Sequence, residues 1–352
     1  MSDKWSGVKS IVNYYQDEIP SNPKEGEIWY RPSAQSSYLY NGNIWKTVRG
    51  YDSVAGKYGY FIGGGSGGTY YSSIERILFP FNSGTSLNIG SLNQTKYLFA
   101  GCNSSQYGYT MGGNGGNVES TIERFEFPFN SGTALNAGNL SRTNYAMAVC
   151  NSSQHGFSMG GYNSNYLSNI DRITFPFSSG TASTVGNLAY SRDAQPGCNS
   201  STHGYSFGGS PFTVITERIT FPFNSGTASS VGNLAGQRYQ SSCSNSSIYG
   251  YICGGYNDSV ISSIERITFP FDSGTSSSVG NLTYSSTGVA CNNSSNHGFI
   301  AGGSDNVSSR FSYIDRITFP FDSGTSSNVG NLTYNSYYMC DIDETDFITQ
   351  FV

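Results

Sequence analysis

The chain has 352 residues, of which 36% are hydrophobic and only 12% are charged, and it contains 44 Gly, 27 Tyr and 22 Phe. An aromatic share of 15% excludes a disordered chain, and Gly is too sparse for collagen. The formal charge of −5, with no run of Lys and Arg, argues against a nucleic acid partner. The composition is typical of β-structure, because aromatic side chains pack well on pleated sheets.

The N-terminal part contains two recognisable elements and no targeting signal. Residues 1–15 lack a continuous apolar stretch, and nowhere do about 18 apolar residues follow one another. We therefore expect a chain made in the cytoplasm without a cleaved signal peptide and without membrane insertion. The first element is the segment 19–30, and the second is a predicted β-hairpin over 36–48, which turns at Asn41-Gly42.

From about residue 51 onwards one unit recurs. The segment Ile264-Glu-Arg-Ile-Thr-Phe-Pro-Phe-Asp-Ser-Gly-Thr275 has counterparts whose arginines are separated by steps of 48, 48, 46, 48 and 50 residues. These arginines are Arg76, Arg124, Arg172, Arg218, Arg266 and Arg316. A Gly doublet and a Gly-Asn-Leu or Gly-Ser-Leu motif recur with the same period. Such self-similarity is the signature of a repeat architecture.

Each repeat reads as four short strands. In one copy we expect strand a at 145–150, strand b at 157–161, strand c at 170–177 and strand d at 181–188. Strands a and b are apolar throughout, as expected when neighbouring sheets cover both faces. Four strands per repeat without a helical pattern predict an all-β fold, the β-propeller.

The repeat resembles the kelch family. The resemblance is carried by an apolar strand that ends in a Gly doublet, a loop of about ten residues and a strand that ends in aromatic residues. It covers about residues 51–340 and implies a kelch-like propeller. Kelch repeats usually carry a Tyr and then a Trp after the doublet, whereas this chain has Phe-Pro-Phe and Val-Gly-Asn-Leu at those places.

The number of blades depends on how the chain ends are used. Residues 337–340 and 347–352 read as a further strand a and strand b, and the hairpin over 36–48 would supply strands c and d. Pairing of these ends would close a seventh blade, so we expect seven blades, with six blades and an N-terminal appendage as the alternative. The expected domains are a segment of residues 1–35 and a propeller of residues 36–352.

No residue pattern points to catalysis, a metal or a cofactor, so we expect none of the three and a non-enzymatic protein. His155, His203 and His297 occupy one repeat position before a Gly, where equivalent positions spread around a ring and do not converge. The acidic residue and Arg that open each strand c are expected to pair between blades or to bond to neighbouring backbone. Six of the seven cysteines fall near the end of strand a and are expected to be buried.

The loops between strands b and c differ between repeats and are the candidate binding region. In propellers they share one face with the d–a loops, and a surface rich in Tyr, Asn and Ser is typical of binding loops. Loops also vary without selection, which is the alternative interpretation. The candidate binding residues are Tyr70, Tyr71, Tyr162, Asn165, Tyr166, Phe212, Tyr256, Asn257, Asp258, Arg310, Arg192, Arg238 and Tyr239.

The N-terminal part carries a second resemblance. The segment Ile19-Pro-Ser-Asn-Pro-Lys-Glu-Gly-Glu-Ile-Trp-Tyr30, followed by Tyr38-Leu-Tyr-Asn-Gly-Asn-Ile-Trp45, is similar to segments of bacteriophage tail-fibre and other virion proteins. The resemblance implies a virion protein on a phage tail or capsid, made in the host cytoplasm. Its implied partners are other virion proteins, further copies of itself in the particle, and a host-surface glycan or protein. The residues implied in virion docking are Ile19, Pro20, Pro23, Trp29 and Tyr30.

Two other functions stay open on the sequence. The first is a cellular kelch-like module for protein interaction. The second is a propeller enzyme acting on glycans, which would need carboxylates that converge in one pocket.

Overall fold

A computed structural model describes residues 58–344 without a gap, and residues 14–47 except for 17, 25–26, 32–35, 41 and 44. The chain divides into two compact units, Met1–Val54 and Ala55–Val352. The described residues form strands, turns and loops and contain no helix. Nothing in this part of the chain therefore offers a long apolar helix of the kind that crosses a bilayer.

The N-terminal unit contains one four-stranded sheet. Its strands are β1 (Tyr14–Tyr15), β2 (Ile28–Arg31), β3 (Ser36–Tyr40) and β4 (Trp45–Thr47), in that order across the sheet. Strand β1 runs parallel to β2, and the remaining pairs are antiparallel. Trp29 on β2 is 3% exposed, and its indole N–H donates to the carbonyl of Gln16 over 2.7 Å.

The second unit is a β-propeller of six four-stranded blades. Within each blade, strands a to d lie side by side and antiparallel, with strand a innermost around the axis. Blade 1 contains β32 (Cys340–Asp343), β5 (Tyr58–Ile62), β8 (Ser73–Leu78) and β9 (Leu87–Ser91). Blade 2 contains β10 (Ala100–Asn103), β11 (Tyr107–Met111), β12 (Thr121–Glu126) and β13 (Leu135–Asn139). Blade 3 contains β14 (Ala148–Asn151), β15 (His155–Met159), β16 (Asn169–Thr174) and β17 (Ser183–Asn187).

The remaining three blades repeat this order. Blade 4 contains β18 (Gly197–Asn199), β19 (His203–Phe207), β20 (Ile215–Thr220) and β21 (Ser229–Asn233). Blade 5 contains β22 (Ser242–Asn245), β23 (Tyr249–Cys253), β26 (Ser263–Thr268) and β27 (Ser277–Asn281). Blade 6 contains β28 (Ala290–Asn293), β29 (His297–Ala301), β30 (Tyr313–Thr318) and β31 (Ser327–Asn331). Two small hairpins, β6–β7 (Gly65–Ser66 and Thr69–Tyr70) and β24–β25 (Tyr256–Asn257 and Ser259–Val260), lie in b–c loops.

The ring closes through blade 1, and not through the expected seventh blade built from both ends of the chain. Strand β32 pairs with β5, placing Cys340 opposite Ile62, so the C-terminal strand completes the first repeat and not a seventh blade. The expected hairpin forms as β3 and β4, but β3 pairs with β2 in the N-terminal sheet. A hairpin signal is local and does not specify which sheet the hairpin joins. Seven blades are therefore not confirmed, and the six-bladed alternative fits the described residues.

A circle of backbone hydrogen bonds surrounds the propeller axis. Just before each strand a lies a residue with φ between 53° and 67°, and its N–H donates to the carbonyl of its counterpart in the preceding blade over 2.7 to 3.1 Å. The N–H of Leu98 closes the circle by donating to Tyr338. This axial circle consists of Leu98, Ala146, Ala194, Gln240, Gly288 and Tyr338. Because every member both donates and accepts, the circle ties all six blades together.

The core lies between adjacent blades. The cluster shared by blades 1 and 2 joins Tyr60, Ile62 and Ile74 to Phe125 and Phe129. Four tyrosines on strand b, Tyr60, Tyr109, Tyr205 and Tyr251, accept a backbone N–H from the Phe-Pro-Phe segment of the next blade over 3.0 to 3.1 Å. That segment was expected to end strand c, but it follows the strand, since proline has no N–H for a sheet ladder.

The acidic residue and the arginine of strand c hold neighbouring blades together, as expected. In all six interfaces the carboxylate accepts a backbone N–H from the d–a loop of the preceding blade. Each arginine bonds to the carbonyl of the second Phe of Phe-Pro-Phe in the following blade. Glu123, for example, accepts the N–H of Asn93 over 2.7 Å, and Arg76 donates to the carbonyl of Phe129 over 2.9 Å. Each blade therefore contributes one acidic residue and one arginine, and both stabilise the contacts between adjacent blades.

The seven cysteines are all free and buried, which confirms the burial expected for the six near the end of strand a. Their strand positions differ, because Cys102, Cys150 and Cys198 precede the last residue of strand a, whereas Cys340 opens its strand. A Cβ added at Gly204 would lie 2.2 Å from Sγ of Cys150 in the preceding blade. The Gly after the His or Tyr of strand b therefore makes room for the neighbouring inner strand.

Candidate functional site: the tyrosine-rich face

The b–c and d–a loops lie on the same face of the propeller. The backbone N–H of Lys96 in a d–a loop donates to the carbonyl of Tyr71 in a b–c loop over 3.1 Å, and Arg192 donates likewise to Leu167 over 3.0 Å. The same backbone contact recurs between Ser336 and Phe311. The expected common surface therefore forms, and we call it the tyrosine-rich face.

An inner ring of side chains lies at the centre of this face. Its members directly precede the axial circle in the chain, and each forms an antiparallel backbone bridge with the first residues of a b–c loop. These bridges join Tyr97 to Asn114, Tyr145 to Tyr162, Asp193 to Ser210, Tyr239 to Tyr256, Thr287 to Ser304 and Tyr337 to Gly65. The inner ring is thus four tyrosines, one aspartate and one threonine, anchored at the backbone on every blade.

Aromatic contacts connect the inner ring to the variable loops in blades 3 to 5. The rings of Tyr145 and Tyr162 lie 5.6 Å apart between centroids, and Tyr166 stands edge-on to Tyr162 at 5.4 Å. On blade 5, Tyr239 contacts Tyr256 at 5.4 Å and Phe212 of the preceding blade at 5.1 Å. All five aromatic residues predicted in these loops and at Tyr239 are therefore brought into two aromatic groups.

A third aromatic group lies on blades 1 and 2, and Arg310 of blade 6 borders it. Tyr70 stacks on Tyr97 with centroids 4.4 Å apart, and the guanidinium of Arg310 lies 4.4 Å from the ring of Tyr337. At the rim, Tyr71 stacks on Tyr334 at 5.6 Å. Geometries of this kind favour attraction between aromatic rings and between a cation and a ring face.

The predicted polar residues of the loops reach solvent. Asn165 and Asp258 are exposed and Asn257 is partly exposed, next to Tyr166 at 41% and Phe212 at 47% exposure. The hydroxyl of Tyr256 donates to the carbonyl of Asp258 over 3.1 Å, which fixes the orientation of that ring. The face therefore offers ring planes beside free hydrogen-bonding groups.

Arg192 and Arg238 were predicted on this surface, but the structure places both in the interior. They are 1% and 2% exposed and pair with Glu217 and Glu265. The guanidinium of Arg192 lies 2.7 Å from the carboxylate of Glu217 and donates to the carbonyls of Gly208 and Ile215. Burial lowers the pKa of Arg192 and raises that of Glu217. A d–a loop position reads as surface in sequence, whereas here the long side chain extends under the next b–c loop and supports it.

Sequence reasoning missed several inner-ring residues, namely Tyr97, Tyr145, Asp193 and Tyr337. Tyr145 was assigned to the start of strand a, although that strand begins at Ala148. Writing the repeats one beneath another would have shown a column of Tyr at this position, interrupted by Asp193 and Thr287. The recurrence of Tyr at this position was the sequence signal that could have identified the inner ring.

Burial shapes the electrostatics of the inner ring. It raises the pKa of Asp193 to about 6 and contributes most to a pKa of about 12 for Tyr97. Burial, followed by the charge of Asp193, raises the pKa of Tyr145, and Tyr239 is raised by burial, Tyr256 and Asp193. The phenols therefore stay neutral at physiological pH and act as hydrogen-bonding groups.

The other candidate groups do not join this site. His155, His203 and His297 open strand b, at the opposite end of the blade, where burial and then a neighbouring arginine lower the pKa of each. In the part of the chain that the structure describes, no three His, Cys, Asp or Glu side chains lie close enough to hold a metal ion.

The predicted docking residues lie in the N-terminal unit and differ in exposure. Ile19 is 71% exposed and Pro23 is partly exposed, whereas Pro20 and Trp29 are buried. Tyr30 belongs to β2, and its side chain lies outside the described residues. Trp29 therefore belongs to the interior of its sheet, and Ile19 is the large apolar side chain that this segment presents to solvent.

The chain matches no protein-family model. A search of curated proteins likewise gives no significant match.

Proposed function

We propose that this protein is a non-enzymatic binding module, a propeller carried on a phage virion, whose tyrosine-rich face contacts the host surface. The observation that carries the binding role is the set of aromatic contacts between the inner ring and the b–c loops on the tyrosine-rich face. Tyr145–Tyr162–Tyr166 on blade 3 and Phe212–Tyr239–Tyr256 on blades 4 and 5 form two such groups.

The chemistry of this face suits recognition. Tyrosine presents a large, rigid ring at small entropic cost, and Asn and Ser supply adaptable hydrogen bonds. The backbone bridges and the axial circle hold the inner ring in place, so little ordering is needed when a ligand binds. Such a surface accepts a glycan or a protein loop.

The placement of the recurring carboxylates supports a non-enzymatic role. Acid–base catalysis needs carboxyl groups within reach of one substrate. The six acidic residues of strand c are instead distributed over the six interfaces, where each accepts a backbone N–H. Their role is structural.

The virion role rests on the N-terminal resemblance and concerns residues 1–35 as a docking segment. Its partners would be other virion proteins, and several copies of the chain would be present in one particle. Deleting residues 1–35 tests this role: we expect the variant to fold as a propeller but to be lost from purified particles. Incorporation at the normal copy number would refute docking through this segment.

The binding role is tested by adsorption to host cells and by a glycan array. Tyr162→Ala and Tyr256→Ala each remove one partner of an inner-ring tyrosine, and we expect each to weaken binding at least tenfold. The control is Ile248→Ala, which truncates a 54% exposed apolar side chain in an a–b turn at the opposite end of blade 5. Equal binding by all three variants would overturn the assignment of the face.

A further inference from the structure

Asp193 is the acidic member of the inner ring. It occupies the position between Tyr145 of blade 3 and Tyr239 of blade 5, at the centre of the tyrosine-rich face. Its backbone N–H and carbonyl both bond to Ser210, over 3.0 and 2.8 Å, so the backbone that carries the carboxylate is held firmly. The side chain is partly exposed.

Aromatic groups stand on both sides of Asp193. On one side lies Tyr166, whose hydroxyl is 3.2 Å from the hydroxyl of Ser210, the residue that bonds to the backbone of Asp193. On the other side Phe212, two residues after Ser210, stands edge-on to Tyr239. Tyr166 and Phe212 are each more than 40% exposed, so their rings remain available to a ligand beside the carboxylate.

Among the residues that the structure describes, the carboxylate of Asp193 has no partner. Within residues 58–344 and the described part of 14–47, it accepts no hydrogen bond and forms no ion pair. The adjacent Arg192 is directed inward and is engaged by Glu217. The acids of strand c, in contrast, all accept backbone N–H groups. A half-buried carboxylate without a partner is costly for the protein alone and is relieved by a cation.

We propose that Asp193 and the aromatic side chains beside it bind the ammonium group of an amino sugar in a surface glycan. The proposal rests on the binding function proposed above and names the chemistry of its ligand. The carboxylate pairs with the ammonium, and the ring faces attract the same cation. The exposed planes of Tyr166 and Phe212 suit the apolar face of the sugar ring, and the hydroxyls of Ser210 and Tyr166 suit its hydroxyl groups.

The charged groups around the site favour a cation over an anion. The carboxylate of Asp258 also acts on Tyr239, so a second negative charge lies on this side of the face. The nearest titratable neighbours otherwise are the phenols of Tyr145 and Tyr239, whose raised pKa values keep them neutral at pH 7. Arg310 lies over Tyr337, three inner-ring positions from Asp193 and thus half the circuit away.

The test uses the full chain and a matched pair of probes. Calorimetric titration with tetraglucosamine and with tetra-N-acetylglucosamine compares the same sugar backbone with and without the ammonium groups. We expect the amino form to bind at least tenfold more tightly, and Asp193→Asn to abolish that preference without lowering the melting temperature. Glu126→Gln neutralises an exposed carboxylate on strand c and should leave the preference intact.

The pH dependence of affinity is a second test, because a purely structural role of Asp193 would not make binding of the amino form depend on pH. Since the pKa of Asp193 in the free protein is about 6, neutralisation of its carboxylate should weaken binding of the amino form several-fold from pH 7 to pH 5, even though the amines of the probe gain protons over this range. Binding of the N-acetyl form should stay constant. Equal affinity for both probes, or a preference that survives Asp193→Asn, would overturn the proposal. Tetralysine as a further probe separates sources of ammonium: binding as tight as that of tetraglucosamine would overturn the assignment to a sugar.

Failure of this inference is distinguishable from failure of the binding function. If Tyr162→Ala reduces adsorption to host cells while Asp193→Asn does not, the face binds its ligand without an ammonium contact. If neither variant reduces adsorption, the binding function itself is wrong.

Discussion

The backbone N–H of Thr333 donates to Oε2 of Glu75 over 2.8 Å, although the two residues are 258 positions apart in the chain. This hydrogen bond is the same contact that joins every other pair of adjacent blades, and here it joins blade 6 to blade 1. Ser86 donates to the same carboxylate oxygen. Glu75 therefore stabilises the interface between blades 6 and 1, where the ring closes.

Removing the carboxylate of Glu75 should destabilise the ring closure. Glu75→Ala removes the acceptor of the Thr333 N–H and leaves the hydroxyl of the buried Ser86 unpaired, and an unsatisfied buried group costs about 1–3 kcal/mol. Chemical denaturation measures the change in the free energy of unfolding. Glu126→Ala, at an exposed position of strand c, is the control and should change the free energy by less than about 0.5 kcal/mol. A loss that is equal in both variants would contradict the closure role.

The buried pair of Arg192 and Glu217 should show strong coupling between its members. Arg192→Met leaves a carboxylate that is fully buried without its cation, and we expect a loss of about 3–5 kcal/mol. The double variant Arg192→Met/Glu217→Gln removes both charges and should recover much of that loss. Urea denaturation of both single variants and the double variant completes the cycle. Simple addition of the single effects would show that the two side chains do not act as a pair.

Tight packing at Gly204 should make this residue intolerant of even one methyl group. Gly204→Ala places Cβ 2.2 Å from Sγ of Cys150, and overpacking of this kind costs about 1–3 kcal/mol. Combining it with Cys150→Ala should restore part of the stability. Gly236→Ala is the matched control, because the nearest atom to its added Cβ is a carboxylate oxygen of Glu265 at 3.9 Å. A control as unstable as Gly204→Ala would refute the packing argument.

The carboxyl of Asp341 should make stability fall as pH rises. It lines a cavity of about 120 Å³ on the propeller axis, and burial raises its pKa to about 7. Between the unfolded pKa of about 3.9 and this value, the folded state holds a proton that the unfolded state releases. This contribution is complete below about pH 4 and is lost as pH rises through about 7. Asp341→Asn should therefore flatten the fall between pH 4 and pH 7 and raise the melting temperature at pH 8; an unchanged slope would rule Asp341 out as its source.

The thiols should be inert in the folded protein. All seven cysteines are buried, and burial raises the pKa of Cys102, Cys150, Cys243, Cys291 and Cys340, which suppresses the reactive thiolate. Titration with a thiol reagent at pH 8 should label fewer than one cysteine per chain natively and all seven in denaturant. Rapid labelling of a single cysteine under native conditions would identify an inner strand that opens.

Much of the fold could be predicted because the same sequence pattern occurs in six repeats. The period, the four strands of each blade and the role of the strand-c acid and arginine all follow from side chains that recur at one position. Strand ends were displaced by one to three residues: strand b of blade 3 begins at His155 and not at Phe157. The Gly after that His was explained only when Cys102 of the preceding blade was found against it.

The candidate site was predicted in part. Tyr162, Tyr166, Phe212 and Tyr256 do lie on one face, because the loops that carry them leave the blades at the same end. Arg192 and Arg238 could not be placed, since a long side chain in a loop can extend either to solvent or beneath its neighbour. Asp193 was not singled out, because the aromatic side chains that surround its carboxylate come from three different blades.

The sequence by itself determined the β-propeller, its repeat and the contacts that every blade shares, because local hydrophobic patterns and recurring polar residues specify strands and their neighbours. Only the tertiary structure decided that β32 joins β5 in a six-bladed ring and that the inner ring gathers around the axis. Closure depends on which strand edges meet at the two ends of the chain. A site on the axis is assembled from single residues about 48 positions apart, and no local pattern encodes their meeting.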